Sequence, residues 1–129
     1  MSANPNVELM HRVYAAVLGG DLDTFRQLCD PDMVLHQGSA LPYVGTYRGP
    51  DEFIRFLGIF GETFAIERLE PVRAYVGDDP AWVVCELDMA ATVRATGKRF
   101  ETTMMEQWQF RDGKVLTIKP HYFNSPLAG

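Results

Sequence analysis

Residues 98–110, KRFETTMMEQWQF, decide the fold. Phe100, Thr102, Met104, Trp108 and Phe110 alternate onto one face at the period of a β-strand, and one charged residue, Glu106, falls among them. An apolar strand face needs neighbours to cover it. Thr96-Gly97 before the strand and Asp112-Gly113 after it have the composition of tight hairpin connections, joining it to AWVVCELDMAATV (81–93) and KVLTIKPHYF (114–123). With Thr96 and Gly97 as a two-residue turn, Leu87 opposes Glu106 and Cys85 opposes Trp108, so every partner on that face is apolar or small. The other face pairs Glu86 with Gln107 and Asp88 with Met105, a mostly polar set that faces solvent or a second subunit. A one-residue slip would mix the faces, so the register and the interior placement of Glu106 support each other.

The last strand has two candidate registers. A strict two-residue turn at Asp112-Gly113 sets Glu106 against Lys119 and Met104 against His121, and turns Leu116, Ile118 and Tyr122 outward. A bulge, favoured by the missing N–H of Pro120, instead brings Ile118 and Tyr122 inward and leaves His121 near the rim. The second register buries more apolar surface and is the expected one.

Upstream, FAIERLEPVRAYV (64–76) is a strand whose Pro71 marks an edge or a bulge. The first half of the chain is helical. Met10, Val13, Tyr14, Val17 and Leu18 recur at the spacing of one helical face, with Glu8, His11, Arg12 and Ala15 outward. After Gly19-Gly20, Asp21 offers an N-cap to a shorter helix carrying Leu22, Phe25, Leu28 and Cys29, which Pro31 closes. A strand at MVLHQG and a loop from Ser39 to Arg48 lead to GPDEFIRFLGIF, where Pro50, Asp51 and Glu52 suit a helix start and Phe53, Phe56, Leu57 and Phe60 form an apolar stripe. The expected class is α+β: three helices from the N-terminal half packed on a strongly curved, mainly antiparallel sheet, as one domain over residues 1–129.

Composition narrows the function. Net charge is -5, and Lys and Arg are scattered along the chain, adjacent only at Lys98-Arg99, so no basic patch is expected to engage nucleic acid. No run of about 18 apolar residues could cross a membrane, and the N-terminus lacks a basic start and apolar core, so a cytoplasmic protein is expected. Cys29 and Cys85 are far apart and read as reduced, packed thiols. His11, His36 and His121 never approach metal-ligand spacing, and no phosphate-binding loop precedes a helix, so no metal and no cofactor is expected.

The order of the first helix, GDLDTFRQLCDPDMVLH, a loop, YRGPDEFIRFL and strands ending in FRDGKVLTIKPHYF resembles the cone-shaped, cystatin-type fold shared by nuclear transport factor 2 (NTF2-like proteins), ketosteroid isomerase and the SnoaL-like polyketide cyclases. The resemblance spans nearly the whole chain and implies a small-molecule pocket. Laid on ketosteroid isomerase, whose oxyanion hole pairs a protonated Asp with a Tyr, it puts Glu106 at the acid, Val13 at the tyrosine with Tyr14 one residue beyond, and Gln37 at the proton-moving Asp. It therefore implies the acid but not the rest of that isomerase's machinery.

Several residues are candidates on these grounds. A sequestered Glu106 titrates upward and can give a proton at neutral pH; otherwise it is a structural polar contact of Tyr14, His36 or a buried water. An imidazole is the side chain best suited to act as a base near neutral pH, which makes His36 a candidate, with His121 the alternative. Tyr14, Phe60, Trp108 and Tyr122 are expected to line a cavity or fill a core, with Gln37 beside His36 and with Tyr43 and Tyr47 at the mouth. Three functions follow: a cofactor-free isomerase, cyclase or lyase acting on an apolar carbonyl compound; a non-catalytic pocket for such a ligand; or a dimerisation module whose outer sheet face carries Trp82, Val84 and Ala90. A homodimer suits all three.

Overall fold

The computed structural model describes residues 4–38 and 43–124. Helix α1, Pro5–Leu18, starts at Asn4, whose side chain accepts from the Asn6 N–H, with Pro5 in the first turn. It buries Leu9, Met10, Val13 and Ala16. Helix α2, Leu22–Leu28, is capped by Asp21, which accepts from the N–H of Thr24. It ends one residue earlier than Cys29, and strand β1 runs on at once over Cys29–Gln37, four residues ahead of the strand expected at MVLHQG. Residues 39–42 of the expected loop lie outside the described residues, but its end forms a short strand, β2, Gly45–Arg48. Helix α3, Gly49–Thr63, opens with Pro50, Asp51 and Glu52; the Glu52 carboxylate reaches back to accept from the Arg48 N–H at 2.8 Å.

Four long strands follow: β3 Phe64–Val76, β4 Trp82–Val93, β5 Arg99–Arg111 and β6 Lys114–Tyr122. They form one six-stranded sheet in the order β2-β1-β6-β5-β4-β3. All neighbours are antiparallel except β1 and β6, which run parallel with Leu35 opposite Ile118. Strand β3 is an edge, and its register shifts just after Pro71, so that proline sits at an edge and beside a bulge.

Two registers differ in detail from expectation. The β4–β5 connection is closed by Val93 and Lys98 around Arg94–Gly97, so Glu106 opposes Cys85, not Leu87, and Trp108 opposes Val83. Glu86 correspondingly opposes Met105 and Asp88 opposes Thr103. The displacement is two residues, one period of the strand, and both faces keep their residues. In the β5–β6 hairpin, Asp112 and Gly113 both have positive φ, 51° and 73°, as a type I′ turn requires. The bulge is present, but at Leu116: Phe110 opposes Val115 and Gln109 opposes Thr117. Beyond it Ile118 is buried and Lys119 exposed, and Glu106 lies directly opposite Pro120.

The core lies between the helices and the inner sheet face, where Trp108, Phe25, Phe64, Met33 and Leu87 are almost wholly buried. Each such side chain contributes about 1.5–3 kcal/mol by leaving water. Cys29 and Cys85 are buried free thiols. Of the three residues expected on the outer sheet face, Trp82 is exposed and Val84 half-buried, whereas Ala90 is covered within the chain itself. Among the described residues no helix is long and apolar enough to cross a membrane.

Candidate functional site

Between the helices and the sheet lies a cavity of about 230 Å³. Its walls are built by the same periodicities that build the core. Helix α3 contributes Phe53, Phe56, Leu57 and Phe60, helix α1 contributes Val13, Tyr14 and Val17, and the inward faces of β5 and β6 contribute Met104, Glu106, Trp108, Ile118, Pro120 and Tyr122. Leu35 and Gln37 of β1 complete one side, with Ile66 and Leu69 of β3 on the other. No Lys, Arg or His stands among these lining residues.

The polar groups converge on Glu106. Tyr14 donates its hydroxyl proton to Glu106 Oε1, and Trp108 Nε1 donates to the same oxygen at 3.3 Å. The rings of Tyr14 and Trp108 pack with centroids 5.2 Å apart, which fixes both donors. Oε2 makes no hydrogen bond among the described residues. Glu106 is half-buried, and its remaining accessibility opens on the cavity it lines. Burial raises its pKa above the ordinary value of 4.5, against the opposing pull of the Tyr14 and Trp108 hydrogen bonds. No cation stands in the wall to offset that desolvation.

Burial raises the titratable neighbours of Glu106 as well. Burial, then the adjacent Glu106 carboxylate, raises the Tyr14 hydroxyl well above its usual range. Burial pushes the Cys85 thiol, directly across the β4–β5 ladder from Glu106, up to about 11. Tyr122 is raised by burial and then by Tyr43, whose hydroxyl lies 2.9 Å from its own.

The expected site residues therefore divide. Tyr14, Gln37, Phe60, Glu106, Trp108 and Tyr122 are brought together around one cavity. His36 is not among them: Leu35 and Gln37 point inward, and His36 faces the other way, opposite Thr46 of β2. His121 is exposed on the outer sheet face, with its Nε2 2.7 Å from Gln107 Oε1. Tyr43 and Tyr47 are core residues 2% and 6% exposed, packed edge-on and tilted against Phe56, with Tyr47 donating to the Tyr43 carbonyl. Tyr43 thus stands behind the lining, against Phe56, Phe60 and Tyr122. The candidates chosen for their chemistry omitted Leu35, Met104, Ile118 and Pro120, and the same strand alternation that placed Glu106 inward signals all four. Among the described residues no group of His, Cys, Asp and Glu is arranged to hold a metal ion.

A family model described as a SnoaL-like domain matches residues 10–118. Similar solved structures include an NTF2-like protein from Burkholderia xenovorans LB400, 23% identical with a TM-score of 0.84 over 95% of this chain and 92% of that one. TerC, co-crystallised with polyporic acid, is 20% identical with a TM-score of 0.78 over 92% and 91% of the two chains. A putative polyketide cyclase from Xanthomonas campestris is 18% identical with a TM-score of 0.75 over 93% of each chain. No curated protein matches the sequence.

Proposed function

Because the chain belongs to the SnoaL-like domain family, we propose that its cavity takes an apolar, carbonyl-bearing small molecule and acts on it without a cofactor, as an isomerase, cyclase or lyase with Glu106 as the proton carrier. One observation carries the reading. Both protein donors to Glu106 fall on Oε1, so in the neutral carboxyl the proton resides on Oε2, the oxygen free to meet a ligand. A carbonyl oxygen placed there receives a hydrogen bond that strengthens as negative charge develops on it, while the apolar wall keeps the interaction strong. The co-crystal of TerC with polyporic acid supports the idea that a cone of this fold can admit an organic molecule.

The positions of His36 and His121 favour a second reading. Neither imidazole lines the cavity, so while Glu106 gives its proton to the carbonyl oxygen the proton leaving carbon has to pass to a water molecule, and a site with only an acid can be a pocket that binds its ligand unchanged. Deuterium incorporation at the α-carbon of 1-tetralone, followed by NMR, separates the two. Exchange by the wild type that is lost in Glu106→Gln while the ketone still binds is expected; binding without exchange by the wild type would establish the non-catalytic pocket instead.

A second copy of the chain is proposed to cover the outer sheet face. There Tyr75 and Trp82 are 46% and 39% exposed and Val84, opposite Tyr75, is half-buried, an apolar set at the β3–β4 end of the sheet.

A further inference from the structure

The polar side chains of the cavity are paired with one exception. Tyr14 and Trp108 both donate to Glu106, and the Tyr122 and Tyr43 hydroxyls bond to each other. Gln37 is 7% exposed, its Oε1 is buried with no partner, and no other hydrogen bond of its side-chain amide is formed among the described residues. A buried amide left unpaired costs on the order of 1–3 kcal/mol, so native cores seldom keep one without a use. An apolar residue of the same size would serve packing better.

The strand register fixes where this amide stands relative to the acid. Leu35 opposes Ile118 across the parallel β1–β6 pair, and continuing that register sets Gln37 opposite Pro120; Pro120 in turn opposes Glu106. Gln37 and Glu106 thus occupy one row of the sheet, two strand spacings or about 9.5 Å apart at the backbone. The proline ring lies between them as an apolar floor.

We propose that Gln37 is a second polar subsite, which selects a ligand carrying a hydroxyl group across a rigid apolar body from the carbonyl that Glu106 holds; this rests on the reading of Glu106 given above. A hydroxyl fits better than other polar groups. A hydroxyl both donates and accepts, so it can pair with whichever end of the amide a small rotation of the Gln37 side chain turns toward the cavity. An ammonium would bring an uncompensated charge into a wall without a carboxylate beside Gln37. The cavity volume, below the roughly 300 Å³ at which drug-sized pockets begin, limits the body to a compact monocyclic or fused bicyclic skeleton.

Calorimetric titration with 1-tetralone and its 5-, 6- and 7-hydroxy derivatives tests the assignment. The wild type is expected to bind at least one hydroxy derivative about tenfold or more tighter than 1-tetralone, and in Gln37→Leu that ratio should fall to about one. The melting temperature of ligand-free Gln37→Leu should not drop, since an unpaired amide has been replaced by an apolar group; a purely structural glutamine would lower it. If no hydroxy derivative is preferred by the wild type, the subsite is wrong and the Glu106 reading stands. If neither 1-tetralone nor any derivative binds, both fail together.

Discussion

At Glu106 two influences oppose each other, and desolvation is the stronger. A carboxyl whose native pKa is raised holds its proton more tightly in the folded chain than in the unfolded one. Its favourable contribution is complete below the unfolded value near 4.5 and is lost as pH rises from there through the native value. Glu106→Gln should therefore melt close to the wild type near about pH 4 and above it near about pH 8, a divergence readable by scanning calorimetry. Parallel melting temperatures across that range would mean that Glu106 titrates normally. Tyr14→Phe removes a donor that favours the ionised form, so the titration midpoint of Glu106 followed by NMR should move further up, with a stability loss of about 1 kcal/mol. The inward position of Glu106 was legible because a strand reveals its faces by parity alone. The outward position of His36 was equally legible, since Met33, Leu35 and Gln37 alternate with it, but its chemistry drew attention ahead of its parity. The pairing of Tyr14 with Oε1 was not legible, because a helix face predicts burial and not which strand atom a hydroxyl will reach.

At the scale of the elements, the hairpins show what parity leaves open. The β4–β5 connection is longer than two residues, and because the difference equals one strand period the faces never revealed it. The β5–β6 hairpin needed one extra residue to bury Ile118, and the pattern required a bulge without saying whether Pro120 or Leu116 would carry it. Strand β2 was read as loop because four residues, led by a glycine, hold too little alternation to register. The turn at Asp112-Gly113 is where this bookkeeping is anchored, since both residues occupy the left-handed region. Gly113→Ala should cost about 1 kcal/mol or more in chemical denaturation, by forcing a Cβ into that conformation. An unchanged midpoint would show that the turn does not hold the register of β6 and hence the seat of Tyr122.

For the whole molecule, the architecture was legible in the switch from helical to strand periodicity near residue 64. The parallel contact of β1 with β6 was not, because no turn links two strands so distant in the chain and pairing of that kind leaves no local signature. That contact closes the wall carrying Gln37 against the wall carrying Glu106, so the cavity is a property of the complete sheet and of no single hairpin. The outer face bears on assembly. Trp82→Arg is expected to shift a dimer toward monomer in sedimentation velocity, since a charge at the centre of an apolar contact is expensive to desolvate. A wild type that sediments as a monomer would remove the proposed interface.

The chain's two tryptophans stand on opposite sides of this sheet. Trp82 meets solvent, whereas the indole of Trp108 is sealed in the cavity wall with its N–H on the carboxyl of Glu106. Ultraviolet emission is thereby divided into an outward-facing part that senses association and an inward-facing part whose colour and yield follow the charge of one acid. A pH titration of the buried indole's emission is thus expected to report the charge of Glu106 without any added label.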